Sequence, residues 1–597
     1  MYLIPRRIHR VLRELHRPAC RFCPNYSIGD LCFLVFFLVI EVVICINPIV
    51  NAARGDSLSE IGRSMGSPVQ WNMAGLLIPL TKRVSPMLVL LNVPFERGVR
   101  FHRWVAYAAI ITTILHFFFL VFDNDMAEFS NVAGLIAMGS FLLIFLTSLE
   151  IVRRTLYELF FRVHVSFALL AYIFAMIHQS AGGLIARCAA PAVLYLGDLA
   201  LRMFITVRRR GVLLHCTTIC PDMQKVVHWE VLVERGKGVF VEAGQYAYLY
   251  VPSLAWAQMH PFSVAYARQL TRDDETVDED LKKYLASMPP EDKSQCVVLG
   301  FFVRELGNYT LKFPEVQSLS KSKHPRVWVD GPFGSCALDL SQYKTFVMIA
   351  GGIGITSIIS FWNSVVLADN PRSYSVYNAK FHPEAEVIPQ DDLSTAPSLL
   401  KPMDTASHST DPPNLVHPPA SAPPKTLAAT ATPSAAPSAS RAASGRRPRN
   451  ISVSLHWTLR GCDIGLATAV LERLLIAPQT GTLGPVLRIH IHVTQPRQAP
   501  EEALKELNIL IARFPAVMVT LCLQGHRIAP DIVLSTAVKE CSACPPDLER
   551  TLRVGVLACG PTGLLTDVRA AGCVLTNKPI PPYDKVVFDV HTESFAL

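Results

Sequence analysis

Apolar positions gather into six long runs in the first third of the chain and then break into short ones. The runs cover residues 28–48, 71–94, 101–122, 132–149, 157–178 and 189–207. Each is near the ~17–25 residues that a helix needs to cross a bilayer. The pattern therefore predicts a six-helix membrane region over 28–207, with both of its ends on one side. From Gly211 the runs shorten, become rich in Val, Tyr and Phe, and are separated by Gly and Pro turns, with helical periods later. This predicts a soluble portion that begins with strands. Residues 383–450 break the pattern with a Pro, Ser, Ala and Thr stretch. It holds 13 of the 43 prolines, so it cannot build a core and reads as a disordered insertion.

Composition agrees with a membrane protein. Of the 597 residues 50% are hydrophobic and only 17% charged, against about 25% charged in an ordinary soluble protein. A purely soluble enzyme and a wholly disordered chain are both excluded. Fifteen cysteines are too few for a disulfide scaffold. The pairs Cys20/Cys23 and Cys541/Cys544 stand far apart in the sequence and read as no metal site. The net charge of +8 lies mostly in segments beside the apolar runs and calls for no nucleic-acid partner; membrane lipid is the expected surrounding. The arm 1–27 carries Arg6, Arg7, Arg10, Arg13, Arg17 and Arg21. Arg97, Arg100 and Arg103 follow the second run, Arg153 and Arg154 the fourth, and Arg208, Arg209 and Arg210 the sixth. The opposite loops are expected to hold only Arg54, Arg63 and Arg187. By the excess of positive charge on the inner side, both termini are cytoplasmic.

Four histidines carry the first chemistry. His102 and His116 lie in the third run, His164 and His178 in the fifth, and both spacings are fourteen. Fourteen helical steps return to nearly the same face about 21 Å along the axis. The two runs are parallel, so His102 levels with His164 near the inner surface and His116 with His178 near the outer one. Two stacked bis-imidazole sites are what two b-type haems require. No C-x-x-C-H motif is present for covalent attachment. Lys82 and Arg83 interrupt the second run and are the expected partners of haem propionates. Glu41 and Asp198 also sit in apolar runs and acquire no role from the pattern.

The soluble portion carries a series of motifs in a telling order. They are His260-Pro261-Phe262-Ser263, Arg304-x-x-Gly307-x-x-Thr310, the turn at 330–335, Gly351-Gly352-Ile353-Gly354-Ile355-Thr356 after an apolar strand, and Cys559-Gly560-Pro561. An arginine with exposed N–H groups at a turn makes an anion site. A strand, a glycine turn and a helix make a dinucleotide site. With these motifs the chain resembles the ferric reductase and NADPH oxidase superfamily over nearly its whole length, the arm and the insertion excepted. The resemblance implies a transmembrane haem bundle followed by a ferredoxin-reductase-like module: an FAD-binding antiparallel β-barrel at 211–340, and an NADPH-binding α/β domain at 341–382 and 451–597. It implies that Phe262 packs by the isoalloxazine, that Ser263 bonds its reactive edge, and that His260, beside Pro261, lies on the ribityl–phosphate side. Arg304, Gly307 and Thr310 would hold the pyrophosphate of FAD. Gly351, Gly352, Gly354 and Thr356 would receive NADPH, Arg460 would meet its ribose phosphate, and Cys559, Gly560 and Pro561 would lie by the nicotinamide. Phe595 would stack on the flavin. Ser357 stands where the superfamily has a proline.

The expected activity is electron transfer from cytoplasmic NADPH through FAD and two haems b to an acceptor across the membrane, with the plasma membrane as the family expectation. Two acceptors are open: Fe(III) chelates, which would make the chain an NADPH-dependent ferric-chelate reductase serving iron uptake, or molecular oxygen, which would make it an NADPH oxidase. Short outer loops, at 123–131 and 179–187, favour the bulky chelate. No EF-hand loop precedes the membrane region. A third reading is a non-catalytic membrane subunit, which would be expected to have lost the histidines or the glycine turn.

Overall fold

The computed structural model describes residues 25–83, 85, 95–122, 127–179, 182–219, 225–234, 241–255, 258–269, 278–287, 296–307, 309–320, 322–334, 336–366, 451–476, 486–514, 517–523, 525, 527–540 and 551–593. Residues 1–24 of the arm, the expected insertion, Phe595 and both C-x-x-C pairs lie outside them.

The membrane region opens with α1 (Ile28–Ile44), started by a capping box between Ser27 and Asp30. A 50° bend leads into α2 (Ile46–Arg54). Next come α3 (Leu58–Leu77), α4 (Phe95–Leu120), α5 (Phe129–Ser148), the short α6 (Glu150–Thr155), α7 (Tyr157–His178) and α8 (Gly182–Arg208). Among the described residues, four helices are long and apolar enough to cross a bilayer: Arg97–Leu120, Phe129–Ser148, Tyr157–His178 and Gly182–Arg208. The bent pair α1/α2 would make a fifth.

Among the described residues the six expected spans are therefore not all found, and the difference falls on the run at 71–94, of which residues 84 and 86–94 lie outside the described residues. The helix there starts thirteen residues earlier, at Leu58, behind a second capping box between Ser57 and Glu60. It ends at Leu77, where Pro79 enters a 3-10 turn, Ile78–Leu80. Glu60, Arg63, Ser64, Gln70 and Asn72 keep this helix below the hydropathy of a span. It nonetheless runs antiparallel to α4 over the whole separation of the two histidine levels. Gly62-x-x-x-Gly66 supplies a small-residue face for that approach: a Cβ on Gly62 would lie 2.8 Å from Leu120 Cγ. The last helix also starts earlier than expected, at Gly182, and so takes in Arg187.

Helix α8 passes almost directly into the soluble portion, since strand β1 (Arg210–Thr218) begins two residues after Arg208. Strands β2 (Val226–Val233), β3 (Tyr246–Tyr250), β4 (His260–Ser263), β5 (Tyr266–Gln269), β6 (Val297–Arg304) and β7 (Arg326–Phe333) complete an antiparallel sheet ordered β4-β3-β7-β1-β2-β6-β5. Its core holds Trp229 stacked on Phe313 at 3.9 Å.

A parallel sheet follows, with β8 (Thr345–Gly351), β9 (Ser452–Arg460), β10 (Val486–Thr494), β11 (Met518–Cys522), β12 (Thr551–Cys559) and β13 (Lys585–Glu593) ordered β11-β10-β9-β8-β12-β13. Helices including Ile355–Val366, Ile464–Ile476 and Thr562–Leu575 cover its faces. The chain starts at β8, works outward to β11, and returns to β12 on the other side of β8. The reversal between β8 and β12 is the switch point beside whose strand C-termini ligands bind in such sheets. The glycine turn follows β8 there, and Cys559-Gly560-Pro561 follows β12.

Candidate functional site: a line of cofactor sites from the switch point to the outer histidines

The four membrane histidines meet in the two expected pairs. Ring centroids of His102 and His164 are 6.2 Å apart, and those of His116 and His178 also 6.2 Å. Two metal–imidazole bonds of ~2.0 Å, plus about 1.1 Å from each nitrogen to its ring centre, add up to about 6.2 Å. Three of the rings are oriented by backbone carbonyls, which can only accept. His102 Nδ1 donates to Leu76 O at 3.0 Å, His116 Nδ1 to Gly62 O at 2.7 Å, and His178 Nδ1 to Ser130 O at 2.7 Å. His164 Nδ1 lies 3.3 Å from Ser148 Oγ. Binding Nδ1–H in this way leaves the lone pair of Nε2 as the metal ligand. Leu76 and Gly62 are themselves fourteen residues apart, so α3 repeats the spacing of α4 in its carbonyls.

The outer pair borders a cavity of about 360 Å³ lined by Gly66, Met73, Gly134, Met138 and Arg63 among others. Glycine is required at 134, because a Cβ there would lie 2.7 Å from His178 Nδ1. The arrangement fits a flat metal macrocycle held between two imidazoles. Arg63 is the one permanently charged side chain of the lining. Its expected place was an outer loop; the structure puts it in the second turn of α3. Nearby, Gln70 bonds both Gln179 and Arg187, and the Arg187 guanidinium lies 5.5 Å over the Trp71 ring. Glu41 accepts from Asn72 Nδ2 at 3.2 Å, which gives it the partner that its apolar run did not reveal.

Lys82 and Arg83 reach toward the soluble portion. Arg83 donates to Gly331 O at 3.2 Å, and the Lys82 ammonium stands 3.8 Å over the Tyr248 ring.

The flavin motif forms strand β4, an edge of the antiparallel sheet. His260 stacks on Tyr309 at 4.4 Å, and burial holds its pKa below the ordinary histidine value. Pro261 faces Tyr248 across the ladder. Phe262 packs 5.4 Å from Phe313. Thr310 Oγ1 accepts from the N–H groups of Leu306 and Gly307 at 2.9 and 3.1 Å, so Gly307 and Thr310 close one turn. Arg304 ends β6 and pairs with Asp463 at 2.9 Å; its Nε is buried without a partner. Asp463 is shared, because Arg460 Nε also approaches it at 3.4 Å, with that guanidinium 41% exposed.

At the switch point the two loops pack backbone to backbone. A Cβ on Gly354 would lie 2.5 Å from Cys559 O, and one on Gly351 2.6 Å from Pro561 and 3.3 Å from Gly560. Gly352 differs: its φ is +54° and the nearest atoms to an added Cβ belong to the Arg304 guanidinium, at 3.8 Å and beyond. It is the glycine whose face stays open to a ligand. Thr356 donates to Ile353 O at 2.9 Å and ties the helix to its own turn. Cys559 is fully buried, and burial, with the Glu593 carboxylate adding to it, pushes its thiol far above the ordinary value. The sulfur is therefore neutral. Ser357, the departure from proline, donates to Ser263 Oγ at 3.3 Å. One hydroxyl thus links the helix after the glycine turn to the flavin strand, a role that nothing but the departure itself signals in the sequence.

Comparison with known proteins places these features in a lineage. The profile of the "Ferric reductase like transmembrane component" matches residues 69–175, and that of an "FAD-binding domain" matches residues 223–337. Ferric reduction oxidase 7 of Arabidopsis thaliana is 24% identical over 320 residues, which are 49% of this chain and 38% of that protein. NADPH oxidase 1 of Mus musculus is 21% identical over 466 residues, 60% of this chain and 73% of that protein. Dual oxidase 2 of Sus scrofa is 24% identical over 354 residues, 51% of this chain and 21% of that protein. The chain thus spans about two-fifths of the length of the plant relative.

Proposed function

We propose, from the premise that this chain matches the ferric reductase and NADPH oxidase superfamily, that it carries electrons from NADPH across a membrane to Fe(III) chelates. The observation that carries the reading is the pair of facing imidazoles at one separation, 6.2 Å, at two levels of the same two helices. When bound, NADPH, FAD and two haems b supply the chemistry, a hydride first and single electrons after it.

The chain's own residues hold and orient. His102 with His164, and His116 with His178, ligate the inner and outer iron. Their Nδ1–H bonds keep the rings from turning. Arg63 would offset a propionate at the outer site, and Lys82 and Arg83, which engage Gly331, Tyr248 and Phe333, would serve an inner propionate only from that contact. Phe262 covers the flavin ring and Ser263 bonds its edge, while Arg304, Gly307 and Thr310 face the pyrophosphate of FAD. Gly352 admits the pyrophosphate of NADPH at the N-terminus of Ile355–Val366. Arg460 reaches the 2′-phosphate. Cys559 remains a neutral, uncharged wall by the nicotinamide, and a thiolate there would repel the approaching hydride.

The chelate is favoured over oxygen because the outer cover is thin. Only residues 179–181 join α7 to α8, and 121–128 join α4 to α5. The test uses membranes containing the chain, given NADPH and Fe(III)-EDTA. Formation of Fe(II) that superoxide dismutase does not suppress, with two haems b per chain, is expected. Superoxide production that accounts for all electrons would make the chain an oxidase. Absence of haem would return it to a non-catalytic subunit.

A further inference from the structure

The cluster of cations between the membrane helices and the antiparallel sheet has a geometry of its own. Arg202, in the last two turns of α8, places Nε and Nη2 at 3.0 and 2.5 Å from Asp330 Oδ2, and Asp330 is only 2% exposed. One turn earlier in the same helix, Asp198 accepts the backbone N–H of Lys82 at 3.1 Å and of Arg83 at 2.7 Å. Gly331 O receives Arg83 at 3.2 Å and Arg209 at 2.7 Å. Next to it the Phe333 ring has Lys82, Arg83 and Arg202 all within 6 Å of its centroid, at 5.9, 5.5 and 5.6 Å. Only glycine fits at 331: φ is +152°, and a Cβ would lie 3.0 Å from Ala247 Cα. Four cations from two segments of the membrane region thus converge on one turn of the sheet.

The ends of this contact matter most. On the sheet side, Asp330 faces Tyr248 across the β7–β3 ladder, and Tyr248 faces Pro261 across the β3–β4 ladder. The turn is therefore in one row with the flavin motif. On the membrane side, the Lys82 and Arg83 amides held by Asp198 lie just past the end of α3, whose Leu76 O orients His102. A series of contacts, joined by the short stretch from Leu76 to Arg83, thus connects the inner histidine pair to the flavin strand.

We propose that the Arg202–Asp330 pair is the coupling joint that sets the separation between the bound flavin and the inner haem, with Arg202 a positioning residue for the electron transfer between them. The inference rests on the proposed function for its consequence, though not for the joint. Bound NADPH and FAD would supply electrons singly to an inner haem, and Arg202 with Asp330 would only hold the two sites at a fixed separation. Breaking the pair leaves a buried charge without its partner, so the sheet should tilt away from α8.

The experiment compares wild-type full-length protein with Arg202→Met, Arg202→Lys, Asp330→Asn and the reversed pair Arg202→Asp with Asp330→Arg. Rapid mixing with NADPH should show haem reduction slowed several-fold in Arg202→Met and Asp330→Asn, since the rate of electron transfer falls exponentially with the distance between the two sites. FAD content and the KM for NADPH, with ferricyanide taking electrons from the flavin, should stay at wild-type values. Arg202→Lys should recover part of the rate and the reversed pair more. Amide exchange over 198–209 and 326–333 should rise in the two disrupted singles and fall again in the reversed pair. Wild-type haem reduction in Arg202→Met overturns the joint. So does loss of FAD there, which would place Arg202 in the support of the flavin site itself. If the reversed pair folds poorly, Arg202→Lys decides: exchange as high as in Arg202→Met refutes the joint. A wild-type protein that takes up no haem would end the functional reading, and the exchange comparison would still judge the contact.

Discussion

Two groups of histidines occupy this molecule, and they are arranged for opposite ends. In the membrane region each ring has a partner at Nδ1, which leaves Nε2 free of it, and stands opposite an equal ring across 6.2 Å. In the parallel sheet, His456 of β9 and His490 and His492 of β10 form a stack. His456 and His490 lie 4.5 Å apart and nearly coplanar in tilt, and His456 Nδ1 is 3.3 Å from His492 Nε2. Ser454 takes the other nitrogen of His456 at 2.9 Å. No gap remains between these rings, and among the described residues no group of three or more His, Cys, Asp and Glu is placed to hold a metal ion. The first arrangement sets ring against ring across that separation, with a cavity beside the outer pair; in the second, His456 spends both nitrogens on Ser454 and His492, while Nε2 of His490 is buried without a partner. Histidine content therefore says little; the partner of the second nitrogen says which histidines are ligands.

The comparison can be broken first at the membrane pairs. His178→Leu or His116→Leu should remove one of two haems and all reduction beyond the membrane, with flavin reduction by NADPH unaltered. Absorbance of the purified variant with pyridine counts the haems, and a full complement would discard the ligand assignment. Gly134→Val comes next. Its side chain would overlap His178, so the variant should retain less outer haem and reduce it more slowly than wild type. Equal rates in Gly134→Val and wild type would mean that the ring has room to retreat.

A smaller effect belongs to Arg460→Ala. Removing a charged hydrogen-bond partner is worth about 1.5–3 kcal/mol, so the KM for NADPH should rise roughly tenfold or more and that for NADH hardly at all. Equal losses with both nucleotides would make Arg460 a support of Asp463 only.

The smallest effect tests the stacked histidines. Burial first, then the neighbouring His490 and His492, lower the pKa of His456 to about 3. A histidine depressed in the folded state contributes stability fully above its ordinary ~6.5, and that contribution is lost as pH falls toward 3, because unfolding then takes up a proton. From pH 7 to 5 the loss is about 2 kcal/mol for one such group. His456→Gln should flatten that slope in amide exchange over β9 while leaving haem content alone. An unchanged slope would show that other groups govern acid sensitivity.

What could be read from residues alone divides along the same line. The fourteen-residue spacings are periodic and helical, so the pairs at 102/164 and 116/178 were legible without coordinates. Their orienting partners were not, since Leu76, Gly62 and Ser130 act through carbonyls that every residue possesses. Helix α3 was misplaced for a related reason: hydropathy follows side chains, and its polar ones are turned to partners. Arg63 went astray with it. Asp198 had no legible role because its partners are amides more than a hundred residues away. The stack of histidines depends on the β9–β10 register, which pairs His456 with His490; the alternation His490-Ile491-His492 was its sole sign. Phe595 lies beyond β13 and outside the described residues, so its stacking on flavin remains a proposal.

Helix α3 also has a consequence for how the protein is made. A segment with Glu60 and Arg63 in its first two turns and Gln70 and Asn72 further in is a poor substrate for insertion on its own, since polar and charged side chains oppose transfer to lipid. Its Gly62 and Gly66 face becomes useful only when α4 is beside it. Because α3 leaves the ribosome first, it must wait at the translocon for its partner, and the two would enter the bilayer as a hairpin. The histidines of α4 would then find their carbonyls during synthesis, so the orientation of their rings is prepared before anything binds between them.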